Sequence, residues 1–273
     1  MTPNMEQVSI IIPTYNRADV IDNSIKSILN QTYEQYELLI VDDGSTDDTE
    51  LVIEQIKDER IRYIKLSENK GVAAARNEGI RQAKYDYIAF QDSDDYWHKD
   101  KLEKQMTFLT KHPEIALLYC PYECQKNDGS VIIVPNNDIP LSEKQGNIYE
   151  YMLRRNTIGT PSVLLRKEGL NKSGYFNETL TCLEDWELFL RISKYCEIAF
   201  LDEVLLKVNL STDGVSHNIS GYYEARCYMI ATHKEALLNY GIFSDIVKEI
   251  LESAEQLGIL TQISKILQYY LQQ

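Results

Sequence analysis

The first half of the chain alternates short apolar runs with segments in which apolar residues recur at helical spacing. The runs are rich in β-branched and aromatic residues and have the length of buried strands; they cover residues 8–12, stopped by Pro13, and residues 37–41, 61–64 and 86–90. The segments between them predict three helices. The first covers about residues 17–30, with Asn16 as a candidate N-cap; the second runs through Val52, Ile53 and Ile56, and the third follows Gly71. This rhythm predicts parallel βαβ units in a doubly wound α/β sheet.

The pattern changes beyond about residue 115. Residues 115–119 and 131–134 flank Asn127-Asp128-Gly129, which predicts a hairpin turn. A loop is predicted over residues 136–146, and a helix at about 183–194 lies among strand candidates at residues 160–165, 197–201 and 204–208. From about Gly221 the pattern is helical, with a break at Gly258. We therefore expect an α/β half, a mixed half and a helical tail.

The composition narrows the class of protein. Of the 273 residues, 44% are hydrophobic and 26% are charged, as in soluble globular proteins. The net charge of −14 argues against nucleic acid as a partner, and against polybasic attachment to a membrane. The five cysteines include no Cys-x-x-Cys pair, which indicates reduced thiols and no zinc. Neither a signal peptide nor a membrane-spanning run is evident, so we expect a cytoplasmic protein, at most peripheral to the membrane.

A cluster of acids follows the fourth predicted strand. Asp92, Asp94 and Asp95 come directly after the apolar run that ends at Phe90. The carboxyl edge of an open α/β sheet is where ligands bind. Such carboxylates repel one another unless a cation lies among them, and Mg²⁺ or Mn²⁺ takes one or two of them together with substrate phosphates. Taken alone, the cluster favours a solvated acidic turn.

Five short motifs, of which this cluster is one, occur in order over about the first 210 residues. They are Pro13-Thr14-Tyr15-Asn16, Val41-Asp42-Asp43-Gly44-Ser45-Thr46-Asp47, Asn69-Lys70-Gly71-Val72-Ala73-Ala74-Ala75-Arg76-Asn77, Asp92-Ser93-Asp94 and Leu183-Glu184-Asp185-Trp186. In this order and spacing they resemble glycosyltransferase family 2, with the GT-A fold. The resemblance implies a doubly wound, mostly parallel sheet flanked by helices. It also implies an inverting transferase that uses Mn²⁺ or Mg²⁺ to move a sugar from a nucleoside-diphosphate donor, such as a UDP-sugar, to a hydroxyl of a glycan, lipid-linked or glycoprotein acceptor.

The resemblance assigns the donor to residues at several strand ends, namely Pro13, Thr14, Tyr15, Asp43, Asn69, Gly71, Arg76, Asp92 and Ser93. Asp43 would accept a hydrogen bond from the uracil ring, although an acid there could also cap the next helix. Gly71 opens a helix whose N-terminal N–H groups can face an anion. Arg76 is expected to make a supporting contact with the donor. The alternative is that it is an arginine on the exposed surface of the helix.

The resemblance also implies the metal ligands and the catalytic base. Asp94 would bind the metal, Asp92 would reach the ribose or, through water, the metal, and Asp95 could cap the following helix. Asp185 would deprotonate the acceptor, with Glu184 and Trp186 as acceptor contacts. Acids are common in a first helical turn, where the helix dipole keeps them ionised, so a purely structural role is the alternative.

One part of the family pattern is missing. Relatives often carry Arg-x-His near the end of the catalytic domain, close to the metal or pyrophosphate. The corresponding residues here are Lys207 and Asn209, so Asn209 replaces the histidine. Lys207 could still face phosphate, and His217 could substitute, but a lone loop histidine is more often simply exposed.

The resemblance predicts a GT-A domain over residues 1–215, with a nucleotide-binding half (1–115) and an acceptor half (116–215), followed by a helical extension over residues 216–273. An apolar stripe in this extension comprises Ile246, Val247, Ile250, Leu251, Leu257, Ile259, Ile263, Ile266, Leu267 and Tyr270. Such a stripe usually packs on its own domain, and a homo-oligomer interface or an acceptor platform is the alternative.

Two other functions are alternatives to the transferase. A nucleotidyltransferase would carry a glycine-rich basic loop after the first strand, where this chain has Pro13-Thr14-Tyr15-Asn16-Arg17. A non-catalytic glycan-assembly protein on the same scaffold would be expected to have lost a motif acid, yet Asp43, Asp92, Asp94 and Asp185 are all present. The sequence therefore favours the transferase.

Overall fold

The computed structural model describes residues 6–125, 129–209 and 218–272. Within these residues the strands are β1 (Val8–Thr14), β2 (Tyr36–Asp42), β3 (Ile61–Lys65), β4 (Tyr87–Phe90), β5 (Tyr96–Trp97), β6 (Ile115–Tyr119), β7 (Tyr122–Gln125), β8 (Val131–Val134), β9 (Leu164–Arg166), β10 (Glu197–Phe200) and β11 (Leu206–Asn209). The helices are α1 (Ile21–Leu29), α2 (Thr49–Glu54), α3 (Val72–Gln82), α4 (Lys101–Lys111), α5 (Tyr149–Arg154), α6 (Lys167–Ser173), α7 (Glu184–Tyr195), α8 (Ile219–Thr232), α9 (Lys234–Asn239), α10 (Phe243–Gln256) and α11 (Leu260–Gln272).

The central sheet has seven strands in the order β10-β6-β9-β4-β1-β2-β3. The pairs β1–β2, β2–β3, β1–β4 and β6–β10 are parallel, whereas β9 is antiparallel to both β4 and β6. The four strands predicted in the first half are confirmed, although β1 continues through Pro13. Proline has no backbone N–H to donate. Pro13 is tolerated because an N–H at this position would face the side of β1 where pairing with β4 has already ended, at Ile11.

Helices cover both faces of this sheet. Ile11 and Leu39 belong to one apolar cluster with α3, α7 and α8, while Ile10 and Leu38 belong to another with α1 and α4. This alternation follows from the two-residue period of a strand. A Cβ atom on Gly79 of α3 would lie 2.5 Å from Ile11 Cγ2, so a glycine is required for the close approach of this helix. The doubly wound, mostly parallel α/β architecture is confirmed.

A second sheet has four strands in the order β5-β11-β7-β8. Its β7 and β8 form an antiparallel pair. The prediction that residues 115–119 form one arm of this hairpin is therefore wrong, because β6 pairs with β9 and β10 in the central sheet. Residues 127 and 128 of the predicted turn lie outside the described residues.

Three local predictions also differ from the structure. Asn16 does not cap α1, which begins at Ile21; its side-chain Oδ1 instead accepts the Thr46 N–H at 2.8 Å. Asp95 caps no helix, since α4 begins at Lys101. The strand expected over residues 160–165 is a 3-10 turn, Thr160–Ser162, followed by β9.

The apolar stripe of the C-terminal extension faces the rest of the chain. Ile246, Ile250, Ile263 and Leu267 are each at most 6% exposed and join the cluster that contains Ile11. The intramolecular packing expected as the usual case thus accounts for the buried part of the stripe. In the described part of the chain, no helix is both long and apolar enough to cross a membrane.

Candidate active site

A cleft of about 750 Å³ opens at the carboxyl edge of β1, β2 and β4. Parallel strands bring their carboxyl ends to the same edge, so motifs far apart in the sequence meet there. The lining includes all the site residues inferred from the sequence except Trp186: Pro13, Thr14, Tyr15, Asp43, Asn69, Gly71, Arg76, Asp92, Ser93, Asp94, Glu184 and Asp185.

The Asp43 carboxylate forms part of one wall. Its two oxygens accept the Lys70 N–H at 2.8 Å and the Gly71 N–H at 2.7 Å. Gly71 has φ 92°, a conformation that favours glycine, and it directly precedes α3. Burial raises the pKa of Asp43, although these two hydrogen bonds partly oppose the shift. Asp43 therefore joins the loop after β2 to the start of α3, and it does not cap α2, whose N-cap position is occupied by Asp48.

The acidic loop after β4 forms a second wall. Burial, followed by the charge of Asp92, raises the pKa of both Asp94 and Asp95. Asp95 Oδ1 accepts the Asn209 N–H at 3.0 Å, and Asn209 Nδ2 donates to the Asp94 carbonyl at 2.6 Å. Asp95 thus fastens β11 to this loop, and Asn209 lies where the sequence pattern placed the replaced histidine.

The chemistry of these acids fits a hard divalent cation. Among the described residues, no three His, Cys, Asp or Glu side chains are arranged to hold a metal ion. Asp92 and Asp94 nevertheless line the same cleft. Mg²⁺ and Mn²⁺ commonly take one or two protein carboxylates and complete their shell with substrate phosphates and water. Two ligands are enough for such a site once a diphosphate is bound.

Arg76 links the acidic loop to the start of α7. Its Nη2 donates to Asp92 Oδ1 at 2.8 Å, and its Nη1 donates to Glu184 Oε1 at 2.6 Å. The side chain is only 5% exposed, so the alternative of a surface arginine is wrong. Burial acts to lower the pKa of Arg76, but the charges of Asp92 and Glu184 raise it more. Arg76 therefore stays protonated and is occupied by two carboxylates.

Asp185 lies in the first turn of α7, directly after Leu183 in a left-handed conformation (φ 56°) and Glu184. Its Oδ2 accepts the Thr160 hydroxyl at 3.1 Å, and its Oδ1 accepts the Trp186 N–H at 2.7 Å. Burial, followed by the charge of Glu184, raises the pKa of Asp185 to about 6. The helix dipole invoked from the sequence is thus outweighed, yet the carboxyl remains mostly ionised at neutral pH.

Trp186 does not reach the cleft, and its role as an acceptor contact is corrected. It is 6% exposed, its Nε1 donates to the Met152 carbonyl at 2.7 Å, and the Arg226 guanidinium lies 4.3 Å from the ring centre. Trp186 faces α5 and α8, and it anchors the start of α7 in the core.

Several lining residues were not singled out from the sequence: Asn16, Arg17, Val72, Ala75, Tyr122, Asn156, Gly159, Thr160, Pro161, Leu183 and Val208. Four of them, Asn16, Val72, Ala75 and Leu183, lie within the motifs without a proposed role in the site. Those of the second half that carry no motif are Tyr122, Asn156, Gly159, Thr160, Pro161 and Val208, and only the fold brings them to the cleft. Lys207, one of the two proposed substitutes for the missing histidine, forms an ion pair with Glu123 at 3.4 Å. His217, the other, lies outside the described residues.

Comparison with known proteins identifies the family. Residues 9–168 match the family described as Glycosyl transferase family 2, so the chain belongs to that family. It is similar to S. aureus TarS 1-349 solved in complex with UDP-GlcNAc, with a TM-score of 0.69 at 22% identity over 91% of this chain and 72% of that one. This likeness shows the GT-A fold.

Two relatives extend the match beyond the family region. TuaG of Bacillus subtilis (strain 168), a glycosyltransferase named for teichuronic acid biosynthesis, is 33% identical over 214 residues, which are 77% of this chain and 82% of TuaG. WfgD of Escherichia coli, a UDP-Glc:alpha-D-GlcNAc-diphosphoundecaprenol beta-1,3-glucosyltransferase, is 35% identical over 215 residues, 77% of this chain and 80% of WfgD. Other relatives, from Rickettsia species, are longer, and the match spans 33% of their length.

Proposed function

We propose that this protein is an inverting glycosyltransferase that moves a sugar from a UDP-sugar to a hydroxyl of a lipid-linked glycan. The observation that carries the proposal is the position of Asp185, which shares one cleft with Asp43 and with the acidic loop of Asp92 and Asp94. The cleft thereby combines a proposed base, a wall proposed to bind the nucleobase at Asp43, and a proposed site for the diphosphate at the acidic loop.

Asp185 is the general base of the proposed reaction. An ionised carboxylate takes the proton of the acceptor hydroxyl as that oxygen attacks the anomeric carbon. The bond from this carbon to the diphosphate oxygen breaks, and the nucleoside diphosphate leaves with the electron pair. A pKa of about 6 suits this task, because the group is largely ionised at neutral pH and is more basic than an ordinary aspartate. One displacement inverts the configuration and requires no second carboxylate as nucleophile.

Asp94, together with Asp92, would hold Mn²⁺ or Mg²⁺. A divalent ion held there would supply charge stabilisation for the leaving diphosphate. Arg76 donates to Asp92 Oδ1 at 2.8 Å and so fixes the orientation of this carboxylate, whose second oxygen would bind the ion. Asn209, through the Asp94 carbonyl, fixes the backbone of the loop.

Asp43 receives the nucleobase. Both of its oxygens already accept a backbone N–H, and each carboxylate oxygen has a further lone pair for the imide N–H of uracil. Thr14 and Tyr15 lie on the adjacent wall, where Tyr15 is 42% exposed and available to a ring. The free N–H groups at the start of α3 suit the diphosphate.

The donor and acceptor classes rest on the relatives. WfgD is named for UDP-Glc and for a GlcNAc-diphosphoundecaprenol acceptor. We therefore propose UDP-glucose and a sugar-diphosphate lipid as the first pair to assay, with the reaction at the cytoplasmic face of a membrane. We assign the chemistry to the GT-A domain over residues 1–215, and a supporting role to the extension over residues 216–273.

The variant Asp185→Asn tests this proposal. It keeps the size and hydrogen-bonding shape of the side chain but cannot take the proton, so kcat should fall about 10²–10⁴-fold. The affinity for UDP with Mn²⁺, measured by calorimetry, should stay at the wild-type value. Asp202→Asn, an exposed site outside the cleft lining, is the control and should leave both quantities unchanged. Near-normal turnover in Asp185→Asn would contradict the assignment of the base.

A further inference from the structure

The cleft is rich in negative charge and poor in positive charge. Its acidic lining residues are Asp43, Asp92, Asp94, Asp95, Glu184 and Asp185. Among the described lining residues, the cationic side chains are Arg17 and Arg76. A nucleoside diphosphate adds further negative charge to this cleft. Binding of the diphosphate therefore depends on positive groups that are not already paired with an acid.

Arg17 is the cation that remains available. Arg76 is occupied by Asp92 and Glu184, as described above. On β11, Lys207 lies outside the cleft lining and is paired with Glu123, and the lining residue Asn209 is neutral. The Arg17 guanidinium, in contrast, makes no hydrogen bond or ion pair with any residue that the structure describes, although it lies within electrostatic reach of Asp94.

The backbone that carries Arg17 is firmly held. The Arg17 N–H donates to Thr49 Oγ1 at 2.9 Å. On either side, the Asn16 N–H donates to Ser45 Oγ at 2.9 Å and the Ala18 N–H donates to Asp47 Oδ2 at 3.1 Å. A fixed backbone that carries a half-buried, unpaired side chain at a cleft wall is the arrangement expected of a preorganised ligand contact.

We propose that Arg17 binds the diphosphate of the nucleotide donor and stays with the nucleoside diphosphate as it leaves. A guanidinium suits this role because its planar fork can donate two parallel hydrogen bonds to phosphate oxygens. Arg17 thereby supplies from the loop after β1 the positive charge that the wall formed by β11 lacks. This inference rests on the proposed function.

Calorimetric titration of UDP and of uridine, both with Mn²⁺, tests the role of Arg17. In Arg17→Met, which keeps an unbranched side chain without its charge, UDP should bind about 10–100-fold more weakly. Uridine, which has no phosphate, should bind as in the wild type, and this also verifies that the cleft is intact. Arg17→Lys should recover part of the loss, since it restores the charge without the fork. Arg81→Met, on the exposed surface of α3, is the matched control and should match the wild type.

The outcomes separate this inference from the proposed function. If Arg17→Met binds UDP as tightly as the wild type does, or loses affinity for uridine equally, the diphosphate contact is disproved. The same holds if Lys207→Met, and not Arg17→Met, weakens UDP selectively. A wild-type protein that binds neither UDP nor another nucleoside diphosphate would overturn both proposals, whereas wild-type binding of UDP with an unaffected Arg17→Met would overturn only this one.

Discussion

In its proposed role as the general base, Asp185 links its own ionisation to the rate of the reaction. Because burial and Glu184 raise its pKa to about 6, the fraction of ionised base should fall as the pH is lowered through that value. We predict that kcat/KM declines on the acidic side with a midpoint near pH 6. Thr160→Val should move this midpoint to higher pH, since the Thr160 hydroxyl hydrogen bond favours the ionised carboxylate.

The control for this pH profile is Thr110→Val in α4. The Thr110 hydroxyl donates to the Met106 carbonyl within its own helix, outside the cleft lining, so its loss should leave the midpoint in place. A midpoint near the ordinary pKa of an aspartate, or one that Thr160→Val does not move, would argue against Asp185 as the titrating base.

A second prediction at the residue scale concerns Asp94 as the proposed metal ligand. In Asp94→Ala the affinity for UDP should become independent of Mn²⁺, because the carboxylate that would bind the ion is gone. Calorimetric titrations of UDP with Mn²⁺ and with EDTA measure this difference. Wild-type protein should show a clear gain from the metal, and Asp138→Ala, an exposed site outside the cleft, should keep that gain. A full metal effect in Asp94→Ala would exclude Asp94 as a ligand.

Motifs in the sequence led to most of the cleft lining, but they did not define each side chain's direction. Asp185 and Trp186 are neighbours in one motif, yet consecutive positions of a helix point about 100° apart, so one lines the cleft and the other enters the core. Thr160 carries no signal of its own, because its contact with Asp185 depends on how β9 packs beside β4.

At the scale of elements, the local hydrophobic pattern was enough to predict the βα units, but it was not enough to predict how the strands after residue 115 pair. β6 and β8 are both short apolar runs, and their hydrophobic patterns do not show which sheet each joins. β6 pairs with β9 and β10, which lie far along the chain, and this choice is made by long-range packing. The strands up to β4 were predictable because each follows the preceding strand after a single helix, although β4 pairs with β1 and not with β3.

The Arg76 bridge joins α3, the loop after β4 and the start of α7. We predict that Arg76→Met lowers the free energy of unfolding by about 3–5 kcal/mol, since it leaves the buried Glu184 carboxylate and Asp92 without their cation. Urea denaturation at neutral pH measures this loss. Arg81→Met, which removes an exposed ion pair of the same helix, should cost about 1 kcal/mol or less. Equal losses in the two variants would contradict the bridging role.

At the scale of the whole molecule, the C-terminal extension is part of the core. Tyr223 and Met229 of α8, together with Ile250 and Ile263, share an apolar cluster with Ile11 of the central sheet. The sequence showed the apolar stripe but not its partner, since a stripe has the same pattern whether it meets its own domain or a second copy. Through Arg226 and Trp186 the extension also contacts the helix that carries the proposed base.

The anomeric configuration of the product tests the central claim most directly. A single displacement with Asp185 as base must invert the configuration at the anomeric carbon. With UDP-α-glucose as donor, and an acceptor that the enzyme glucosylates, we predict that NMR of the initial product shows a β-linkage. An α-linked product would contradict direct displacement, and with it the account of this cleft as the site of an inverting glycosyltransferase.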